Sequence, residues 1–203
     1  MSLPGRGAPA DWLLVGLGNP GSEYERTRHN IGFEIARALI SRWDLPPPKA
    51  RDRGLLSQGA AAPGGSGATE PGGSGKVRVA VLLPQTFMND AGRSVGPARG
   101  SLGVALDHVL VLHDEIDLPF ADVRVRLGGG LAGHNGLKSI RQGLGSADFA
   151  RVRVGVGRPP TTDPDRVAAY VLGRFREPAA EVQALISDAA DAAQRVVRDG
   201  PPS

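Results

Sequence analysis

His29 is set among Thr27, Arg28 and Asn30, just before a run in which Ile31, Ile35, Ala38 and Leu39 recur at helical spacing. A neutral imidazole can take up a proton near pH 7, and a helix N-terminus disfavours the protonated form. On those grounds His29 is expected to be held neutral and to act as a general base. A lone histidine at a helix start is more often a plain surface residue, so this reading needs a partner. Residues 113–117, HDEID, offer one. They follow the apolar run at 109–112, which reads as a buried strand, and ligand sites in open α/β sheets gather beyond the carboxyl ends of strands. Asp114 in that position can orient a histidine and stabilise its charged form. His113 and the neighbouring carboxylates are also metal-ligand types. Adjacent residues of an extended segment point to opposite sides, however, which disfavours a shared ion. No metal and no cofactor are expected.

Three shorter motifs could serve the same chemistry. Residues 86–89, TFMN, follow a strand-like run that ends at Pro84. Phe87 and Met88 read as core or loop packing, whereas Asn89 can donate to a carbonyl oxygen or a developing oxyanion. Residues 133–136, GHNG, close a glycine loop at a helix start. There a backbone can approach a ligand closely, or Asn135 can simply cap the helix. Gly16, Gly18 and Gly21 have the G-x-G-x-x-G spacing of a dinucleotide loop. The periodic helix starts only near residue 30, and no strand ending in an acid follows at about 20 residues, so a tight turn is the better reading. Asn19 in that turn fits a left-handed conformation as readily as a functional role. Neither a Walker loop nor a serine-nucleophile elbow is expected.

Stepping outward, the chain has 203 residues, 40% of them apolar, which suits one domain with one substantial core. Cysteine is absent, so a disulfide framework, a thiolate zinc site and a cysteine nucleophile are excluded. Residues 1–10 lack a long apolar run, and no stretch approaches the roughly 18 to 20 apolar residues of a bilayer span. Neither a signal peptide nor a membrane anchor is expected. The net charge is +3, but residues 118–162 hold seven basic residues against Asp122 and Asp148, a local net of +5. That region can attract phosphates or can be a solvated strand face.

Strands are expected at 12–17, 77–83, 109–112, 123–127 and 151–154, the last two alternating and 123–127 half exposed. Helices are expected at 30–43, 136–144 and 178–198. Residues 59–75 are Gly, Ala, Pro, Ser and Thr except for Glu70, with PGGSG twice, and read as a flexible surface insert between hairpin strands. Strands interleaved with helices give an α/β fold: a single-domain twisted mixed β-sheet flanked by helices, an αβα sandwich.

The order of the motifs is more specific than any one of them. GLGNPG at 16–21, Glu23-Tyr24, TRHN at 27–30, TFMN at 86–89, HDEID at 113–117 and GHNG at 133–136 together resemble the bacterial peptidyl-tRNA hydrolase family. The similarity runs from about residue 12 to residue 198. It implies a monomeric cytoplasmic esterase that releases peptide from peptidyl-tRNA, with His29 activating a water and Asp114 supporting it. It also implies that Asn19 distinguishes N-blocked substrates, and that Tyr24, Phe87, Asn89 and Asn135 contact the acceptor end and the peptide. Arg126 and Arg153 resemble a clamp for the tRNA 5′ phosphate; the family usually has lysine at the first position. A non-catalytic RNA-binding relative of the same fold is the alternative, and a nucleotide-dependent oxidoreductase a weaker one.

Overall fold

The computed structural model describes residues 8–62 and 75–201. In chain order the elements are β1 (Trp12–Gly16), α1 (Ile31–Arg42), β2 (Lys49–Arg51), β3 (Gly54–Ala61), β4 (Val77–Pro84), α2 (Gly92–Leu102), β5 (Val109–Glu115), β6 (Val123–Leu127), α3 (Asn135–Leu144), β7 (Ala150–Gly155), α4 (Pro164–Val171) and α5 (Ala179–Asp199). One seven-stranded sheet runs β2-β3-β4-β1-β5-β7-β6. Its centre is parallel, because β1 pairs in parallel with β4 and β5, and β5 with β7. The antiparallel strands β3 and β6 pair with β4 and β7 and extend the sheet at each side.

The central strands β1, β4 and β5 each carry a continuous apolar run, as strands covered on both faces do. Two cores result. On one face Leu14, Val81, Leu110, Leu112 and Val152 pack against Ile35 and Leu39 of α1 and Leu185, Ala189 and Val196 of α5. On the other, Leu13, Val15, Leu82 and Val111 pack against Val95 and Ala98 of α2 and Leu137 and Ile140 of α3. The αβα sandwich is thus as expected from the sequence.

The glycines at the end of β1 serve this packing. A Cβ on Gly16 would collide with the carbonyl of Gly32, and one on Gly32 with that of Leu112. Missing side chains therefore let the start of α1 sit directly on the ends of β1 and β5. This explains the G-x-G spacing as close helix–strand contact.

Several expectations are corrected. β5 runs three residues past 112, so His113 and Asp114 lie inside a fully buried strand rather than after it. β7 alternates in sequence yet is largely buried: Arg151 is 2% exposed and donates to the carbonyls of Gly128 and Gly130. The insert does not begin at 59, since Gly59, Ala60 and Ala61 pair with Val79, Arg78 and Val77. The rest of that insert, residues 63–74, lies outside the described residues. Two helices went unread. α2 carries Pro97 and three glycines, and it holds because Gly92 and Gly96 press against Gly143 of α3. α4 is short, and Asp163 caps it through the Asp165 N–H.

Candidate functional site

The first turn of α1 is preceded by a 3₁₀ turn, Arg28–Asn30, which presents His29 at the end of β5. His29 Nδ1 lies 2.9 and 3.0 Å from the two carboxylate oxygens of Asp114. The carboxylate is buried in β5, whereas the imidazole keeps 14% of its surface open to the cleft. An ionised carboxylate accepts only, so Nδ1 carries the hydrogen and donates. Nε2 is then the nitrogen able to take a proton.

A second histidine completes the arrangement. His134 Nδ1 accepts the backbone N–H of Gly136 at 3.1 Å and of Leu137 at 3.4 Å, so the residue capping α3 is His134, not Asn135. Its hydrogen must therefore sit on Nε2, which donates to Asp114 Oδ1 at 3.0 Å. Asp114 thus receives two N–H donors, one from each side of the chain. His113, next to it, is wholly buried and turns its Nδ1 to the Asp114 carbonyl at 2.7 Å. Burial pushes the His113 imidazole down to about 3, with His134 adding to the shift, so it stays neutral.

The electrostatics differ from those expected of a helix N-terminus. Burial acts to lower the basicity of His29, but the charge of Asp114 and its hydrogen bond act the other way and the net shift is upward from 6.5. Burial likewise opposes the Asp114 carboxylate, and the facing histidines overcome it, so its acidity is strengthened. The pair is therefore a base made stronger by its carboxylate, not one kept neutral by the helix.

Ligand atoms of His29, Asp114 and His134 converge within 4.8 Å, close enough to hold a metal ion. Coordination through His134 Nε2 would require its hydrogen to move to Nδ1, which would forfeit the cap of α3. The donor set fits a hydrogen-bond network better than a metal site.

These groups line a cleft of about 710 Å³. Asn19, His29, Asn89, Asp114 and Asn135 form its polar side, and Val167, Ala168, Val171 and Leu172, on α4 and just after it, form an apolar wall. Asn19 is held from three directions. Its N–H and C=O are both engaged by the Asn30 side chain, each at 2.9 Å, and its Oδ1 accepts the Met88 N–H at 2.7 Å. Its amide NH₂ is consequently the free donor. Phe87 stands 57% exposed at the rim, with the Tyr24 ring edge-on at 6.4 Å. An aromatic pair with one ring exposed and the other half-buried suits stacking rather than core packing.

Arg126 and Arg153 lie apart from these groups, on β6 and β7. Arg126 is exposed beside Gly129, whereas Arg153 is partly buried and paired with Glu115 at 3.1 Å. Burial lowers the basicity of Arg151 between them, and Arg153 and Arg126 lower it further, so three cations share one face of the sheet edge.

Ser94 is excluded as a nucleophile by position. Residues 92–96 do have the G-x-S-x-G spacing, contrary to the sequence reading, but Ser94 is 0% exposed inside α2 and lines no part of the cleft.

Fold and site define a class: a mixed-sheet α/β protein whose cleft pairs an accessible imidazole with a buried carboxylate. A family model described as peptidyl-tRNA hydrolase matches residues 13–203. A protein named peptidyl-tRNA hydrolase from Renibacterium salmoninarum is 40% identical over 190 residues, 93% of this chain and 92% of that protein. One of the same name from Syntrophotalea carbinolica is 47% identical over 163 residues, 80% of this chain and 78% of that protein. The crystal structure of peptidyl-tRNA hydrolase from Acinetobacter baumannii matches with a TM-score of 0.76 at 34% identity, over 97% of this chain and 92% of that one. This chain belongs to the peptidyl-tRNA hydrolase family.

Proposed function

We propose that the protein hydrolyses the ester between a peptide and the terminal ribose of its tRNA, with His29 as general base. The observation that carries this reading is the contact of His29 Nδ1 with both oxygens of Asp114 at the head of the cleft. Nε2 takes a proton from a water as that water attacks the ester carbonyl. The imidazolium formed is stabilised by Asp114. The tetrahedral intermediate then collapses, the ribose oxygen leaves, and the proton on Nε2 goes to it. Water and ester become a free carboxyl group and a free hydroxyl, with no covalent enzyme intermediate.

The amide groups of Asn19 and Asn89 donate to the carbonyl oxygen as it gains charge, the kind of preorganised donor that contributes most when water is excluded. Asn135 and the Tyr24–Phe87 pair take the acceptor end and the peptide. Arg126 and Arg153 grip the 5′ phosphate, and arginine can do so bidentately where lysine cannot. Arg126 is free for this, while Arg153 must share itself with Glu115.

The protein works as a cytoplasmic monomer on this reading; among the described residues no helix is long and apolar enough to cross a membrane. Retention of both His29 and Asp114, in contact, disfavours a purely RNA-binding role. The test is to give the protein N-acetyl-aminoacyl-tRNA and unblocked aminoacyl-tRNA and measure tRNA release. Cleavage of the blocked substrate alone is expected; cleavage of neither, or of both equally, would overturn the reading.

A further inference from the structure

Arg28 is 4% exposed although it sits in the middle of the turn that presents His29. Its backbone N–H donates to the Gly173 carbonyl at 3.0 Å, and the neighbouring Thr27 forms an isolated bridge with Arg174. Its guanidinium crosses 146 residues of sequence to donate from Nη1 to the Arg174 carbonyl at 2.6 Å. Nη2 faces both carboxylate oxygens of Glu177, at 3.1 and 3.3 Å. The same guanidinium lies over the Tyr170 ring at 4.2 Å and the Phe175 ring at 5.2 Å. Tyr170 belongs to α4, the helix that supplies most of the apolar wall of the cleft. Tyr170 in turn donates its hydroxyl to the Val156 carbonyl, just past β7.

Burying a charge this thoroughly is costly unless the charge is paired. What this cation joins are the two halves of the cleft: the turn carrying the imidazole and the helix opposite it. Arg28 faces away from the reacting atoms and lines no part of the cleft.

We propose that Arg28 is a positioning residue for the hydrolysis: its guanidinium ties the His29 turn to α4 and the segment 173–177, so that the aim of the base and the width of the cleft are set together. This rests on His29 being the base. A base displaced by a fraction of an ångström loses its alignment with water while the substrate still binds. Lysine at 28 would keep the charge yet lose the fork that meets Arg174 and Glu177 together, and lose most of the stacking on the two rings.

The test uses the full chain with Arg28→Lys and Glu177→Gln, assayed on N-acetyl-aminoacyl-tRNA well below each variant's unfolding midpoint, beside His29→Ala. For Arg28→Lys, kcat is expected to fall by about tenfold or more with KM changed much less. The acidic limb of the pH–rate profile is also expected to move to lower pH, as the His29 contact with Asp114 loosens. The groups facing His29 that bear on this limb are Asp114 of β5 and His134 before α3. A purely structural role would lower the unfolding midpoint and leave both readouts in place, which would overturn the proposal. If Arg28→Lys does not fold, Glu177→Gln decides. It is expected to show the same limb shift with a smaller loss of kcat, and an unchanged kcat and limb would overturn the proposal. An active His29→Ala would instead remove the base itself, and with it the ground for this inference; an inactive His29→Ala beside a normal Arg28→Lys would sink the inference alone.

Discussion

Two charged regions of this molecule are built on opposite principles. Around Asp114 the charge is buried, and both of its oxygens' partners are fixed by elements far apart in sequence. At the β6–β7 edge the cations are crowded, and Arg126 and Arg124 are exposed to solvent. A buried, saturated carboxylate is weakly screened and sets the properties of one neighbouring imidazole. An exposed basic edge is screened, adaptable and suited to phosphates, whose contribution depends on salt. On the proposed function, the first region does the chemistry and the second the binding.

Substitutions should separate the two regions cleanly. The largest effect is expected for His29→Ala: kcat falls by about 10²- to 10⁴-fold, the span of one general base, while tRNA affinity measured by filter binding stays within about threefold. Asp114→Asn is expected to follow, with a loss of similar order. An amide can favour the wrong imidazole tautomer and no longer stabilises the imidazolium. Its acidic pH limb should also drop, because the carboxylate is what raises His29. Arg126→Ala sits at the other end of the scale. Turnover at saturating substrate should be nearly unchanged, while KM rises and the slope of log affinity against log salt shrinks by roughly 0.7 to 0.9, one phosphate contact. A loss of kcat without a change in that slope would erase the distinction between the regions.

The same contrast governs how much of the molecule could be read from its sequence. His29 and Asp114 were legible because each sits beside a strong local signal, a helix onset and a buried apolar strand. The αβα architecture was legible for the same reason. His134 was not. Its GHNG run looks like a glycine loop, and only the fold carries its ring to a carboxylate 20 residues away while its other nitrogen caps α3. Arg28 was hidden more deeply, since its partner Glu177 is 149 residues distant. α2 was hidden because glycine and proline argue against a helix that only close packing on α3 allows. α4 could have been found, since Asp163 followed by Pro164 is a helix-start signature. The burial of Arg151 was not legible, because alternation gives the face of a strand, not what covers it.

The imidazole–carboxylate pair is tested most directly by comparing two titrations in the wild-type protein: the acidic limb of kcat/KM against pH, and the His29 ring followed by NMR. Because the shift is upward, the basic form is the minor one at pH 6.5 and grows as pH rises through the His29 midpoint. Activity should therefore climb with pH along the same curve as the ring, with a shared midpoint above 6.5. A flat profile across the His29 titration, or a limb that tracks some other group, would contradict His29 as the base.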